Sequence, residues 1–320
     1  MLNSYDHIMG PDLRFYPESD VRKKRMEPFE GVVRMFIEHG HHFTGLSVER
    51  FMECGDDYRV LVVPEQEFLT DAAKQALRSY LERGGRALFT LTGESEAVDR
   101  DVLELAGVRQ TDEDCGHYSH IDIQPPTLVR GHFTGIEPVD DVEVLCSRLA
   151  PFAVGKFGHG YAPPTDKSIG PAVVSRRVGQ GEIILVAFPV FKSYQNHQVP
   201  ALASLVFELV DRVLPDPLVR VTTPAQVEMA AVRKGDDLIV HLVNHSGRER
   251  LGYYHYPVTE YMPEIRDITV AIRKPAHDVD VVAMPGGRHV RTESVEGYLT
   301  CDVPRLEFLE SLLVPGYFGE

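Results

Sequence analysis

Cysteine is scarce in this chain. The four present, Cys54, Cys115, Cys146 and Cys301, lie far apart with no CxxC pair. Neither a zinc knuckle nor a disulfide framework is indicated, and reduced thiols in a cytoplasmic setting are the expectation. Positive charge is also in deficit: 33 Lys+Arg stand against 48 Asp+Glu, for a formal net charge of -15. Sequence-independent nucleic-acid binding draws on clustered Lys and Arg, as does docking on anionic lipid, so neither partner is expected. No stretch approaches the ~18 apolar residues of a membrane span, and MLNSYDHIMGPDLRFYPESD holds no continuous apolar targeting segment. There is no GxGxxG and no GxxxxGK[ST], which argues against nucleotide binding by those routes; no cofactor is expected.

What is there suits a globular protein. Hydrophobic residues make up 43% and charged residues 25% of 320 residues, too long for one ordinary domain and comfortable for two. The first two-thirds alternates strand and helix patterns. FEGVVRMFI (29–37) puts Phe29, Val32, Val33, Phe36 and Ile37 on one helical face. RVLVVP (59–64) and RALFTL (86–91) are short, continuously apolar runs that suit strands buried on both faces of a parallel sheet. Between them TDAAKQALRSYLERGG predicts a helix with Thr70 as N-cap and Gly84-Gly85 closing it. Ser95 reads as the cap of another helix, which ends at Gly107.

Residues 108–170 are expected to be less regular, being rich in Gly, Pro, His and Asp. PAVVSRRV-GQG-EIILVAF (171–188) restores order as two strands about a glycine turn, and a long helix follows over 198–214. LPDP (214–217) is the best boundary. It divides the chain into a domain over 1–215 and another over 216–320. Beyond it the period changes to 2, with QVEMAAVRK-GDD-LIVHLVNH as a hairpin and further short strands between Gly/Pro turns. The fold class predicted is α/β: a doubly wound, mostly parallel sheet, then a small antiparallel β-sandwich.

A doubly wound sheet places ligands beyond the carboxyl ends of its strands. Glu65 follows the strand at 59–64, and Glu94 follows the one at 86–91. With His159, on the loop GKFGHGYAPP, they are the candidate catalytic groups. Tyr161 on that loop, and Tyr194, Asn196 and His197 after strand 182–188, are candidate saccharide contacts. Asn196 has a competing role as cap of the long helix. In CGHYSHIDI, His117, His120 and Asp122 are candidate metal ligands, with Cys115 beside them; on an extended strand His120 and Asp122 share a face. His39, His41 and His42 stand at a helix end, where a charged imidazole would interact favourably with the dipole. Ser95 lacks the second glycine of a nucleophile elbow.

The segment YRVLVVPEQEFLTDAAKQALRSYLERGGRALFTL resembles the middle domain of glycoside hydrolase family 42 β-galactosidases, the amidotransferase-like β-galactosidase trimerisation domain. The matching signals are Asp57–Pro64, Leu69–Asp71 and Tyr80–Gly85. Val98-Asp99-Arg100, Ala106-Gly107-Val108, Pro171–Val174 and Gly179–Ile183 continue it. VHLVNHSG, IRDITVAI and VPRLEFLESLLV resemble the small C-terminal β domain of the same proteins. The resemblance covers roughly residues 25–315 and implies a class I glutamine amidotransferase-like, flavodoxin-like fold. It also implies a carbohydrate ligand and assembly as a homo-oligomer, dimer or trimer, or beside a separately encoded (β/α)8-barrel glycosidase. The family's catalytic barrel, which needs about 250 residues, has no room here. An active amidotransferase would need a Cys where Thr92-Gly93-Glu94 stands. The leading expectation is therefore a non-catalytic assembly or substrate-cleft region of a glycosidase. The rival is a stand-alone hydrolase or sugar-converting enzyme, with or without a metal, using the His/Glu-lined cleft at the carboxyl ends of the parallel strands.

Overall fold

A computed structural model describes residues 1–3, 19–66, 69–93, 100–113, 115–152, 163–251 and 257–319. The chain divides into two compact units, Met1–Val32 with Thr44–Pro215, and Val33–Phe43 with Asp216–Glu320. In chain order the elements up to Pro215 begin with β1 (Leu2–Asn3), α1 (Ser19–Glu38), β2 (Leu46–Ser47), α2 (Val48–Cys54) and β3 (Val60–Val63). Then come α3 (Asp71–Glu82), β4 (Arg86–Thr90), α4 (Arg100–Leu105), β5 (Val108–Gln110), β6 (Tyr118–Ile121) and β7 (Thr127–Arg130). β8 (Ile136–Pro138), β9 (Glu143–Pro151), β10 (Pro164–Val178), β11 (Gly181–Val186), α5 (Val190–His197) and α6 (Pro200–Val213) complete this part.

The first unit is built on a seven-stranded sheet in the order β3-β4-β11-β10-β9-β6-β7. β3, β4 and β11 run parallel, and every other neighbouring pair is antiparallel. The sheet is thus mixed, and the expected parallel run is confined to three strands. Those three are the apolar runs seen in the sequence. Leu61, Val63, Ala87, Phe89, Ile183 and Leu185 turn one way, into a cluster with Leu77 and Leu81 of α3 and Leu103 of α4. Val62, Leu88 and Ile184 alternate to the opposite face and are also buried, as strands covered by helices on both sides require. α6 packs on β4 with Leu202, Val206, Leu209 and Val213 on its buried face.

Local chemistry sets the helix ends. The Thr70 side chain accepts from the Ala73 N–H at 3.2 Å, so α3 starts where its cap places it. Two readings of the sequence need correction. The described residues within 108–170 are more regular than expected and supply β5 to β9 and the first part of β10. Their glycines, prolines and acids read as loop because these strands are short and partly solvated, with burial patterns broken by exposed positions. Residues 190–197 form a helix of their own, so Asn196 does not cap the long helix; Val199 holds that position.

After Pro215 come β12 (Val219–Thr222), β13 (Val227–Lys234), β14 (Asp237–Asn244), β15 (Arg248–Leu251), β16 (Pro257–Tyr261) and β17 (Ile268–Arg273). β18 (Val281–Met284), β19 (Arg288–Val290), β20 (Glu293–Val295), β21 (Tyr298–Val303) and β22 (Leu309–Val314) follow. They form an antiparallel sheet β12-β17-β21-β20 and another, β13-β14-β22-β18-β19. Val270, Ile272 and Val303 of the first share one apolar cluster with Val227, Val240, Leu242 and Leu312 of the second. β14 shows the cause, since its residues alternate strictly between buried and half-buried. Burial pushes His41 down to about 4, against the Phe36 ring at 5.8 Å. It therefore stays neutral at physiological pH and is not a charged partner of the α1 dipole. Among the described residues no helix is long and apolar enough to cross a membrane.

Candidate functional site

The carboxyl ends of β3, β4 and β11 meet at the start of α5. Glu65, two residues past β3, is 2% exposed. Its Oε1 accepts from the backbone N–H of Phe191 at 2.8 Å and, more weakly, of Lys192 at 3.4 Å. No side chain within α5 caps it, so the tertiary contact from Glu65 satisfies its orphan donors. The other oxygen, Oε2, is buried with no hydrogen-bond partner among the described residues. Burial pushes this carboxyl up to about 7, partly offset by hydrogen bonds from the backbone and from Thr90. The cause is desolvation, not a second carboxylate.

α5 carries three of the expected contacts. Tyr194 is buried, whereas Asn196 and His197 are exposed. Desolvation, and then the Arg130 charge, lower the His197 pKa. Glu65 and α5 are thus brought together, although Glu65 is enclosed and does not reach solvent.

The β6–β7 hairpin closes against the same end. Gly131 N–H donates to His117 O at 2.8 Å, finishing that pair of strands. A Cβ added to Gly131, which has φ +143, would stand 2.6 Å from the Pro189 ring, so the end of β7 lies against the residue before α5. Gly93 matters more. Its φ is +75, and an added Cβ would sit 1.6 Å from the His132 carbonyl oxygen. Only a glycine admits the chain there. The His132 ring lies 3.5 Å, centroid to centroid, from His117 and tilted by 53°. Arg130 and His132 were not singled out from the sequence; the signal was GHFTG (131–135), a glycine-flanked turn at a strand end.

The metal candidates are not brought together. His117 meets His132, while His120 is buried within β6 with its pKa lowered by desolvation, and Asp122 is exposed. Among the described residues no group of three His, Cys, Asp or Glu side chains could hold a metal ion. Glu94, His159 and Tyr161, and also Ser95, lie outside the described residues.

Thiol chemistry is poorly served. Burial pushes Cys146 up to about 12, its Sγ facing the Asp122 and Ser147 carbonyls at 3.7 Å, and pushes Cys301 up to about 11. Thr92-Gly93 stands after β4, where an amidotransferase thiolate would sit. Iodoacetamide is expected to label only the half-buried Cys54 and Cys115 in the native protein, with Cys146 and Cys301 reacting after denaturation. Peptide mass spectrometry checks this; rapid native labelling of Cys146 would contradict it.

The fold is similar to that of α-L-fucosidase isoenzyme 2 from Paenibacillus thiaminolyticus. The TM-score is 0.75 and the identity 22%, over 90% of this chain and 45% of that one. It is similar also to Gan42B, a GH42 β-galactosidase from G. stearothermophilus, with TM-score 0.56 and 14% identity over 96% of this chain and 37% of that one. For the β-galactosidase from Bacillus circulans sp. alkalophilus the values are 0.55 and 15%, over 95% and 38%. At such identities the likeness establishes the fold alone: an α/β unit followed by antiparallel sheets, as in part of each of these neighbours. This chain spans less than half the length of each of these neighbours. No family model matches the sequence, and no curated protein matches it.

Proposed function

We propose that this chain is the non-catalytic assembly and substrate-cleft part of a family 42-like glycosidase in carbohydrate metabolism. It comprises an amidotransferase-like α/β domain over 1–215 and a C-terminal β-sandwich over 216–320, and it acts beside a (β/α)8 barrel. The observation that carries this reading is the similarity in fold to glycosidases over nearly the whole chain, matched to less than half of each neighbour. The chemistry is consistent with it. A retaining glycosidase holds two carboxyl groups about 5 Å apart on either side of the scissile bond. Glu65 is the candidate carboxyl described here, and it is enclosed and committed to a helix terminus.

Homo-oligomer formation through the first domain belongs to the same reading, and soluble oligomers are mostly closed, symmetric homo-oligomers. The net charge of -15 opposes association at low salt, but an obligate interface of about 2,000 Å² or more outweighs that repulsion. Light scattering at moderate salt is expected to report a dimer or trimer. Nitrophenyl-galactoside and -arabinoside assays of the chain alone should stay at background. A monomer that cleaves either substrate at a glutamate-dependent rate would defeat both halves. The stand-alone enzyme reading rests on the near-neutral Glu65 carboxyl and predicts that Glu65→Gln abolishes such a rate.

A further inference from the structure

The outward face of the five-stranded sheet in the second unit departs from the usual pattern. An antiparallel sheet with one face on the core ordinarily turns polar residues to water on the other. In β13-β14-β22-β18-β19 the inward residues Val240, Leu242 and Leu312 join the apolar cluster, and the register fixes which residues point outward. Val232, Ile239, Leu313 and Val282 stand directly opposite one another, a continuous apolar row across four strands. The adjacent row is Ala230, His241, Ser311 and Met284. Its two polar members satisfy each other, His241 Nδ1 lying 2.8 Å from Ser311 Oγ. Val243 and Leu309 extend the face, and Leu309 is 57% exposed, so the face meets solvent.

Fixed charge lies at the margin of this face. Glu228 occupies one end of β13, and Lys234 the other, opposite Asp237 at the hairpin turn. His245 Nε2 approaches one oxygen of Glu228 at 2.7 Å, and the other oxygen has no partner among the described residues. An apolar centre inside a polar rim is the anatomy of a protein interface. Pairing edge to edge does not compete at β13, because the Ala231 N–H on its outer edge donates to His42 Nδ1 at 3.2 Å.

Three features select a second copy as the occupant. Chains of net charge -15 repel one another, but two copies of an uncharged face meet without that local cost. The two ends of β13 are opposite in sign. A twofold axis in the plane of the face and perpendicular to the strands reverses strand direction, so Lys234 of each copy comes over Glu228 of the other. The same operation lays the Val232–Val282 row of each copy on the Ala230–Met284 row of the other. The area is sufficient for a weak dimer. At ~4.8 Å between strands and ~3.4 Å per residue, the two faces together cover about 1,000 Å², the lower bound for a specific contact. We infer that the outward face of this sheet is a twofold interface between two copies of the chain, apolar at its centre and with reciprocal Glu228–Lys234 pairs at its rim.

The inference concerns the second unit and does not rest on the assembly role proposed for the first, because the doubling is read above whatever mass that assembly sets. Sedimentation equilibrium of the full chain tests it, at about 0.15 M salt, where repulsion between exposed charges is screened. The weight-average mass should double between about 10 μM and about 1 mM, with a dissociation constant on the order of 100 μM, as suits so small a contact. Val232→Glu puts a carboxylate in the apolar row and should weaken the doubling at least about tenfold. Glu228→Lys and Lys234→Glu should each weaken it about tenfold, since each reversal sets like charges together twice, and the double variant should recover native behaviour. Circular dichroism confirms folding of the variants. A mass that stays constant over this range would overturn the proposal. So would a doubling that survives Val232→Glu, or single reversals whose loss the double variant does not recover.

Discussion

At pH 8, Glu65→Gln is expected to stabilise the protein by about 3 kcal/mol, and at pH 5 to change its stability little. The native carboxyl titrates at about 7, raised by burial from an ordinary value of 4.5. Between those two values the native state holds a proton that the unfolded chain has released. Stability therefore falls as pH rises from about 4.5 through about 7, and the loss is complete above that window. A glutamine keeps an oxygen for the Phe191 N–H and cannot ionise, so its stability carries no such slope. Denaturant unfolding of the first unit between pH 5 and 9, followed by circular dichroism because the chain has no Trp, measures the difference. Parallel profiles for the native protein and the variant would refute the assignment. Glu65→Ala differs in kind. It leaves the N–H groups at the start of α5 unmatched and opens a cavity, so a loss of about 2–3 kcal/mol is expected at pH 5, where the wild-type carboxyl is neutral.

Glu113→Ala is expected to cost about 3 kcal/mol, and Arg148→Met about 1 kcal/mol or less, although both break the same ion pair. Arg148 lies on β9 with a side-chain exposure of 2%, while Glu113 is 47% exposed. Its Nη2 meets Glu113 Oε2 at 2.6 Å and the Ile169 carbonyl at 3.4 Å. Its Nε is buried with no partner among the described residues. Removing the glutamate leaves a guanidinium in the interior without its counter-charge. Replacing the arginine by a methionine of similar reach removes that charge and keeps the packing. The partly solvated Glu113 places its loss at the low end of the usual range for buried pairs. The double variant should be more stable than Glu113→Ala alone, which a cycle of four denaturation curves decides. A mild Glu113→Ala beside a severe Arg148→Met would show that the arginine acts by its shape and not its charge.

The local pattern of the sequence determined the parallel strands at 60–63 and 86–90, the helix from Asp71 with its Thr70 cap, the glycine-turn hairpin of β10 and β11, and the β13–β14 hairpin. Each signal is local: an apolar run with helices on both faces, a hydroxyl three residues from the N–H it accepts from, a glycine where φ is positive. α5 was not legible, because VFKSYQNH is short and bounded by Pro189 and Pro200, so it read as loop before the longer helix. The strands of 108–151 were hidden by glycine, proline and acids tolerated at partly solvated positions. Glu65 could be singled out as a residue beyond a strand end, but its role depends on Phe191, 126 positions away. His117 could be singled out as a ligand, but its neighbour His132 is set by the turn at Gly131 and by the close approach of Gly93. Burial, and the choice of partner across long separations, arise only when the chain is packed. Tertiary structure alone decided which carboxyl is desolvated, which helix it caps and which imidazoles touch, because none of these follows from the spacing of residues along the chain.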